Sequence, residues 1–482
     1  MQQATEKKPS AGNAVRQALI ARKFKLAEKL ALDSLRSQPL VAQNWVFLGE
    51  ALAHQGAVQA AKRAFERGHI LDPQAQWFGE VNKALAARPP GEPREDLSYL
   101  WKRPQQERAV TVTAAIMTRN EARCIVRCVN SLQDAVDEIL IIDSDSTDGT
   151  IELVEHLPKV KVIRSVALND DFAWKRNQAL PHVTSDWVLW VDADEWLFEE
   201  DIEAVRIAAA LFHTRCEHVV LNVCQVNQIQ GRVSADYANP RMFPVNRGLH
   251  YYGRVHEQVV IEGSDMYDNR LVRRPVRIRL HHDGYEPTIM GNQNKLQRNL
   301  RLLKLMVEQE PDNPGWMLYY GRETLATGDM EQAKALFIEA ERLAADKPNF
   351  GRKLDILMYL NKIYMSMKDY DQAEQACLRA LEVQPNFPDA HYHLARARMR
   401  KAAVLLQQAE GSMKASKEHF QTYRGTVTAD AAIAEWKADL ALADLTSIAG
   451  KHADARARYE ELLQRRPELD AVRKKLETLP HV

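Results

Sequence analysis

Asp192, Ala193, Asp194 and Glu195 close a short apolar run, residues 187–191, and place three carboxylates within four positions. An apolar run of this length bounded by charge suits a buried strand of a parallel sheet. The carboxyl ends of such strands are where open α/β sheets hold their ligands. Carboxylates packed this closely repel one another unless a cation sits among them. One reading is a divalent metal site that grips a phosphorylated substrate. The other is an acidic turn capping the helix expected from Phe198 onward.

The surrounding pattern decides between them. Val110, Val112, Ala114 and Ile116 alternate as a strand, Thr118 to Glu121 follow, and a helix carries Ile125, Cys128 and Leu132. A second strand, residues 138–142, runs into Asp143, Asp145 and Asp148. The spacing of Leu153, Val154 and Leu157 predicts a helix starting near Asp148 or Thr150. A third strand at 160–164 and a helix at 171–180 lead back to the acidic strand. Fourfold alternation of this kind predicts a largely parallel sheet with right-handed crossovers. Polar residues ending three of the strands must then converge at one sheet edge. No glycine-rich phosphate loop is present. Carboxylates with Arg119, Lys175 and Arg176 nearby suit a nucleotide-sugar diphosphate held through a metal.

The rest of the 482 residues is built differently. Pro39 and Pro73 stand 34 residues apart, the period of a tetratricopeptide repeat. Trp45, Leu48, Gly49, Leu52, Ala61, Phe65 and Gly68 fall between them at the positions where the repeat's two helices touch. The register recurs at Tyr320, Gly321, Ala333, Phe337 and Ala340, at Leu357, Leu360, Tyr364, Ala373, Cys377 and Ala380, and at Leu442, Ala443, Ala455 and Tyr459. A unit beginning at His391, Leu394 and Ala395 becomes irregular around residues 411–428. The expected organisation is a disordered tail at 1–10, repeat-like helices at 11–87, a turn-rich linker at 88–108, an α/β domain at 109–287 and a repeat domain at 288–482. The N-terminal pair of repeats is barely enough to stand alone and is expected to dock elsewhere on the protein.

Composition narrows the class. Lys plus Arg equals Asp plus Glu at 65 each, so no overall field recruits nucleic acid or an acidic membrane. No run is long and apolar enough to span a membrane, and the first residues lack a signal-peptide core. Five cysteines, odd in number, read as reduced thiols of a cytoplasmic protein.

Asn120-Glu121, Asp143 with residues 146–150, Arg176-Asn177 and Asp192-Ala193-Asp194-Glu195 together resemble family 2 glycosyltransferases of the GT-A fold. Arg241-Met242-Phe243, His256-Glu257 and His282-Asp283-Gly284-Tyr285 are similar to a bacterial branch that carries tetratricopeptide repeats. That branch includes peptide S- and O-glycosyltransferases of the sublancin type and relatives of lipopolysaccharide-core glucosyltransferases. The resemblance covers roughly residues 110–285 and the C-terminal repeats. It implies an α/β GT-A domain, Rossmann-like with a mostly parallel sheet, flanked by all-α repeat helices. It also implies a nucleotide-sugar donor, with UDP the expected nucleotide, held by Thr118, Asn120, Glu121, Asp143, Arg176, Asp192, Ala193 and Asp194. Glu121 and Asp143 would lie near the base and ribose. Asp194 would meet a Mn²⁺ or Mg²⁺ ion bridging the phosphates, and transfer would invert the anomeric carbon in one displacement. Asp145 departs from the pattern of many relatives.

Transfer also needs a group that takes the acceptor's proton. Glu257 is favoured over Glu195, Asp236 and His256, because its stretch, residues 252–257, is aromatic and polar; a strand-end salt bridge is the bland alternative. His282 is the expected additional metal ligand, with a buried structural histidine as the competing reading. Glu195, Trp196 and His256 are candidate acceptor contacts, and Trp190 inside the strand is expected in the core. The acceptor would be a peptide, a protein or a glycan, and the repeats could pair two copies. A non-catalytic repeat scaffold around a degenerate sugar-nucleotide fold is the alternative, and the intact acidic positions argue against it.

Overall fold

The computed structural model describes residues 11–101, 110–165, 171–229, 232–282 and 293–480. The proposed tail at 1–10, part of the linker, and Asp283, Gly284 and Tyr285 lie outside them. The chain forms two compact units, Met1–Pro311 and Asp312–Val482.

The first unit opens with five helices: α1 (Ala11–Ile20), α2 (Phe24–Ser37), α3 (Ala42–His54), α4 (Val58–Leu71) and α5 (Phe78–Ala86). α3 and α4 pack so closely that a Cβ on Gly49 would lie 2.9 Å from the Phe65 ring. Trp45, Leu48, Leu52 and Phe65 are buried with Leu97, which comes from the short 3₁₀ turn Glu95–Leu100. Gly91 has φ +73°, and a Cβ there would sit 1.9 Å from the Gly56 carbonyl oxygen, so only glycine fits this crossing.

The sheet domain begins with β1 (Val112–Thr118), α6 (Ile125–Leu132), β2 (Glu138–Asp143), β3 (Val160–Arg164), α7 (Phe172–Asn177) and β4 (Trp187–Asp192). It continues through β5 (Glu195–Leu197), α8 (Ile202–His213), β6 (Val219–Ile229), β7 (Arg232–Pro244), β8 (Leu249–Tyr252), β9 (Gln258–Ile261) and β10 (Val272–His282), and α9 (Gln293–Gln309) follows. Eight strands order as β3-β2-β1-β4-β7-β6-β10-β5. The first four are mutually parallel. β7 then enters antiparallel to both β4 and β6, so the second half of the sheet is mixed.

Alternation along the strands builds two cores. Ala114, Ile116, Leu189 and Val191 face α6 and α8, while Ala115, Val188 and Trp190 face α7 and the β8–β9 ribbon. Trp190 is fully buried there. α4 packs on β10 and α8, which gives the N-terminal helices the support their small number requires.

One expected element is absent. Residues 150–156 form successive turns rather than a helix. Asp148 bonds the backbone N–H and hydroxyl of Thr150, a local side-chain bond that competes with helical pairing, and Leu153 stays exposed.

The second unit contains α10 (Pro314–Ala326), α11 (Met330–Ala345), α12 (Lys353–Ser366), α13 (Tyr370–Val383), α14 (Pro388–Thr422), α15 (Ala438–Ile448), α16 (His452–Arg465) and α17 (Asp470–Thr478). A Cβ on Gly321 would approach the Phe337 ring to 2.9 Å, repeating the contact of Gly49 and Phe65. The irregular unit is the single 35-residue helix α14, which runs straight through Gly411. Among the described residues no helix is long and apolar enough to cross a membrane.

Candidate active site

Parallel register brings the strand ends together. Thr118 pairs with Asp143 across β1–β2, and Met117 with Asp192 across β1–β4. The loops beyond them are laced by side-chain bonds. Asn120, in the left-handed region at φ +57°, accepts the Thr147 N–H at 2.8 Å and donates its own N–H to Ser146 at 2.9 Å. The Glu121 N–H donates to Thr150 at 2.8 Å. Asp143 is buried and accepts the Ser146 hydroxyl at 2.5 Å, so its carboxylate fixes the loop that carries it. Thr118 is buried at the end of β1, and its hydroxyl has no partner among the described residues. Burial pushes the Glu121 carboxyl up, helped by the nearby charge of Asp194 and opposed by a bond from Cys124.

Asp192 is held from two sides. Arg176 Nη2 donates to one oxygen at 2.9 Å and Arg241 Nη2 to the other at 2.5 Å. Burial alone would raise its pKa, yet the two guanidinium groups hold the carboxyl far below its usual range. Arg176 also donates through Nε to Glu257 at 2.8 Å, and its guanidinium lies 5.0 Å from the Trp190 ring. Asp192 is therefore an anchor for arginines. Ala193, small and 4% exposed, carries the chain from this anchor to Asp194.

Asp194 faces the other way. Its Oδ2 lies 3.4 Å from His282 Nε2, and His282 Nδ1 lies 2.8 Å from Asn227 Oδ1. Burial disfavours a charged ring, but Asp194 outweighs it and raises the His282 pKa. With Asn227 accepting the Nδ1 proton, Nε2 is the ring nitrogen that meets Asp194, and a ring oriented through Nδ1 in this way is the usual outer-shell arrangement around a metal-binding histidine. Among the described residues no three His, Cys, Asp or Glu side chains gather as a complete metal cage. The chain itself thus offers one oxygen donor and one nitrogen donor at this point.

One sequence expectation needs correction. Glu195 cannot touch an acceptor, because it is 1% exposed and accepts the Asp192 N–H at 2.9 Å and Gln225 Nε2 at 2.7 Å. Burial and the Asp192 charge push its carboxyl up against the pull of Arg241, which lies 3.3 Å away. Glu257 is engaged as well, accepting from Arg176 Nε at 2.8 Å. This is the salt bridge that the sequence offered as the alternative to a proton-accepting role.

Trp196 stacks between the Arg127 guanidinium, 3.5 Å from its ring centroid, and His281 at 4.7 Å; Phe198 covers the far face of His281 at 3.5 Å. Trp196 is thereby a wall residue with both faces engaged. His256, at φ +53°, lies in the loop between β8 and β9, and that loop docks on α7 through a 2.9 Å bond from Phe172 N–H to the Arg254 carbonyl. Arg241, Gln225 and Asn227 complete the site without having been assigned a role from sequence. Arg241 stands in a quoted motif, whereas nothing local marks Asn227.

Residues 113–255 match the family described as Glycosyl transferase family 2, and residues 362–387 match a tetratricopeptide repeat. The sheet domain belongs to glycosyl transferase family 2, and the same chain carries tetratricopeptide repeats. It is similar to the SPbeta prophage-derived glycosyltransferase SunS of Bacillus subtilis, with 30% identity over 44% of this chain and 49% of that protein. It is also similar to a TPR repeat-containing protein of Synechococcus elongatus, at 24% identity over 56% of this chain and 66% of that one. An uncharacterized glycosyltransferase of Rickettsia felis is 39% identical over 18% of this chain and 30% of its own length. The chain spans about half the length of SunS. The solved structure of S. aureus TarS residues 1–349 aligns at a TM-score of 0.32 with 13% identity, covering 58% of this chain and 93% of that one.

Proposed function

We propose that this protein is an inverting, metal-dependent glycosyltransferase that moves a sugar from a nucleoside diphosphate, UDP being the expected nucleotide, to a peptide, protein or glycan. The observation that carries this reading is the Asp194–His282–Asn227 relay at the end of β4, beside the laced loops after β1 and β2. Asp194 and His282 would hold a Mn²⁺ or Mg²⁺ ion, with donor diphosphate oxygens completing its shell. Such an ion, when bound, neutralises charge on the departing diphosphate.

The chain's own residues do the rest. Asn120 and Glu121 face the donor from the β1 loop, Asp143 fixes the β2 loop, and Asp192 orients Arg176 and Arg241 beneath it. Inversion in one displacement is supported by how the carboxylates are engaged. Asp192 and Glu257 are arginine-bound, Glu195 is buried, and Asp194 faces His282, which leaves none of the four as a covalent nucleophile.

A peptide or glycan acceptor is supported by a groove of about 690 Å³ in the second unit, lined by Leu354, Met358, Tyr359, Lys362, Phe387 and Arg396. Pairing of two copies through the repeats and a cytoplasmic location belong to the same proposal. Incubating the full chain with UDP-sugars and Mn²⁺, beside Asp194→Ala, tests the enzyme reading. Donor hydrolysis and a Mn²⁺-dependent rise in Tm are expected from the wild type alone. Absence of both from the wild type would leave the scaffold alternative standing.

A further inference from the structure

Between the N-terminal helices and α8 lies a cavity of about 840 Å³ that the transfer chemistry does not use. Trp45, Tyr99, Leu100 and Trp101 give it an aromatic and apolar wall. Arg67 of α4 lines the same cavity, yet it is only 7% exposed.

Arg67 is a buried cation without an ion-pair partner. Its Nη1 turns back along α4 to the Arg63 carbonyl at 3.0 Å, and among the described residues no carboxylate pairs with it. Glu66 and Glu203 act on it only from beyond pairing distance, and burial outweighs them, pulling its pKa down to about 10. The other charged groups on this wall are differently placed. Arg206 pairs with Asp137 at 2.8 Å and Arg36 with Asp33 at 2.6 Å, while Asp186 accepts the Thr111 N–H and hydroxyl. A charge taken out of water and left unpaired is costly in a protein interior.

The free edge of the guanidinium decides what would relieve that cost. Its carbon lies 5.7 Å from the Trp45 ring centroid and 5.6 Å from that of Trp101, contacts that hold the head group without supplying an anion. With Nη1 engaged, the edge left is Nε and Nη2. Among the described residues these two donate to nothing, and neither is sealed off by protein. That edge presents two parallel N–H bonds, the pattern that a carboxylate's two oxygens accept. One unpaired guanidinium balances one negative charge, and the surrounding indoles suit an apolar body rather than a second anionic group. The volume lies within the roughly 300–1,000 Å³ typical of ligand pockets. We propose that this cavity binds an organic monocarboxylic acid, its carboxylate on Nε and Nη2 of Arg67 and its apolar body against Trp45, Tyr99, Leu100 and Trp101.

Calorimetric titration of the full chain with benzoate, 4-phenylbutyrate and decanoate tests this in buffer of physiological salt. Saturable binding of at least one acid is expected. The primary amide of that acid has the same shape without the charge and should bind at least about tenfold more weakly, or 1.4 kcal/mol. Arg67→Lys keeps a charge but loses the fork, and should weaken binding by a similar factor. The comparison of acid with amide uses the wild type, so it holds even if that variant has a lowered Tm. Glu107 is the one carboxylate of residues 102–109, whose flanking residues Trp101 and Val110 both line the cavity. Glu107→Gln should bind the acid as the wild type does. Binding confined to Glu107→Gln would show that the chain fills the fork itself and would overturn the proposal. No saturable heat from any of the three acids, equal affinity for acid and amide, or undiminished affinity in a folded Arg67→Lys variant overturns it as well.

Discussion

Arg241 Nη2 reaches both Asp192, at 2.5 Å, and Glu195, at 3.3 Å, so one guanidinium ties the first acid of the 192–195 run to its last, a fully buried glutamate. Removing one partner of a buried ion pair strands the other charges, at a cost of about 3–5 kcal/mol. Arg241→Ala should therefore lower the Tm of the sheet domain strongly, measured by calorimetry. Arg241→Lys should recover only part of the loss, because an ammonium is a single point charge. A Tm for Arg241→Ala equal to wild type would remove the anchoring role.

Asn227 meets His282 Nδ1 at 2.8 Å and so sets which ring nitrogen faces Asp194. Loss of such an outer-shell partner lowers metal affinity by about 10–100-fold. Asn227→Ala should weaken Mn²⁺ binding by that factor, followed by titration of the Mn²⁺-dependent Tm. Asp194→Asn should abolish the Tm response altogether while the metal-free Tm stays put. Undiminished Mn²⁺ binding in both variants would place the metal elsewhere.

Glu257 is predicted to position rather than to accept a proton. Glu257→Gln keeps an acceptor for Arg176 Nε and should retain kcat within about tenfold, whereas losing a general base costs about 10²–10⁴-fold. Glu257→Ala, which frees Arg176, should lose much more. A hundredfold loss in the Gln variant, with KM unchanged, would restore Glu257 as the base.

The converging strand ends were readable from sequence because their signals are local. Periodicity fixed β1, β2 and β4, and the polar residues that end them follow directly in the chain. The ion-pair network was not readable for the opposite reason. Arg241 and Asp192 are 49 positions apart, and Arg176 and Glu257 are 81. The first meeting depends on β7 entering antiparallel beside β4 and the second on the β8–β9 loop docking against α7, which no short-range pattern announces. Glu195 looked like a second exposed acid because a strand-end acidic run does not reveal which carboxylate turns inward. Residues 153–157 fit a helical period, yet the Asp148–Thr150 bond and the exposed Leu153 show that spacing alone is insufficient. The repeats were legible because Gly49 and Gly321 stand where an aromatic ring fills the space of a side chain.

That contact predicts opposite outcomes for one substitution at different glycines. Gly→Ala in a helix ordinarily stabilises by about 1 kcal/mol. At Gly49 and Gly321 the new Cβ would press on Phe65 and Phe337 at 2.9 Å, and overpacking costs about 1–3 kcal/mol. Gly411 of α14 has nothing within 4 Å of a built Cβ. Gly411→Ala should therefore raise Tm, while Gly49→Ala and Gly321→Ala should lower it or leave it level. Thermal unfolding of the three variants decides the matter, and a clear gain at Gly49 would contradict the packing.

His69 gives the docking of the N-terminal helices a pH dependence. Burial, with Arg277 and Arg279 nearby, lowers its pKa from 6.5 to about 4. Between those values the unfolded chain binds the proton and the folded chain does not. Stability from the neutral ring is thus complete above pH 6.5 and falls as pH drops toward 4, by roughly 3 kcal/mol at most. Trp77 lies 6.2 Å from the His69 ring, so tryptophan fluorescence during acid titration should report loosening of this region in that window. His69→Gln has no imidazole to titrate, and its curve should lose that component. A wild-type curve flat from pH 6.5 to 4, or one that His69→Gln reproduces, would show that the ring carries no such linkage.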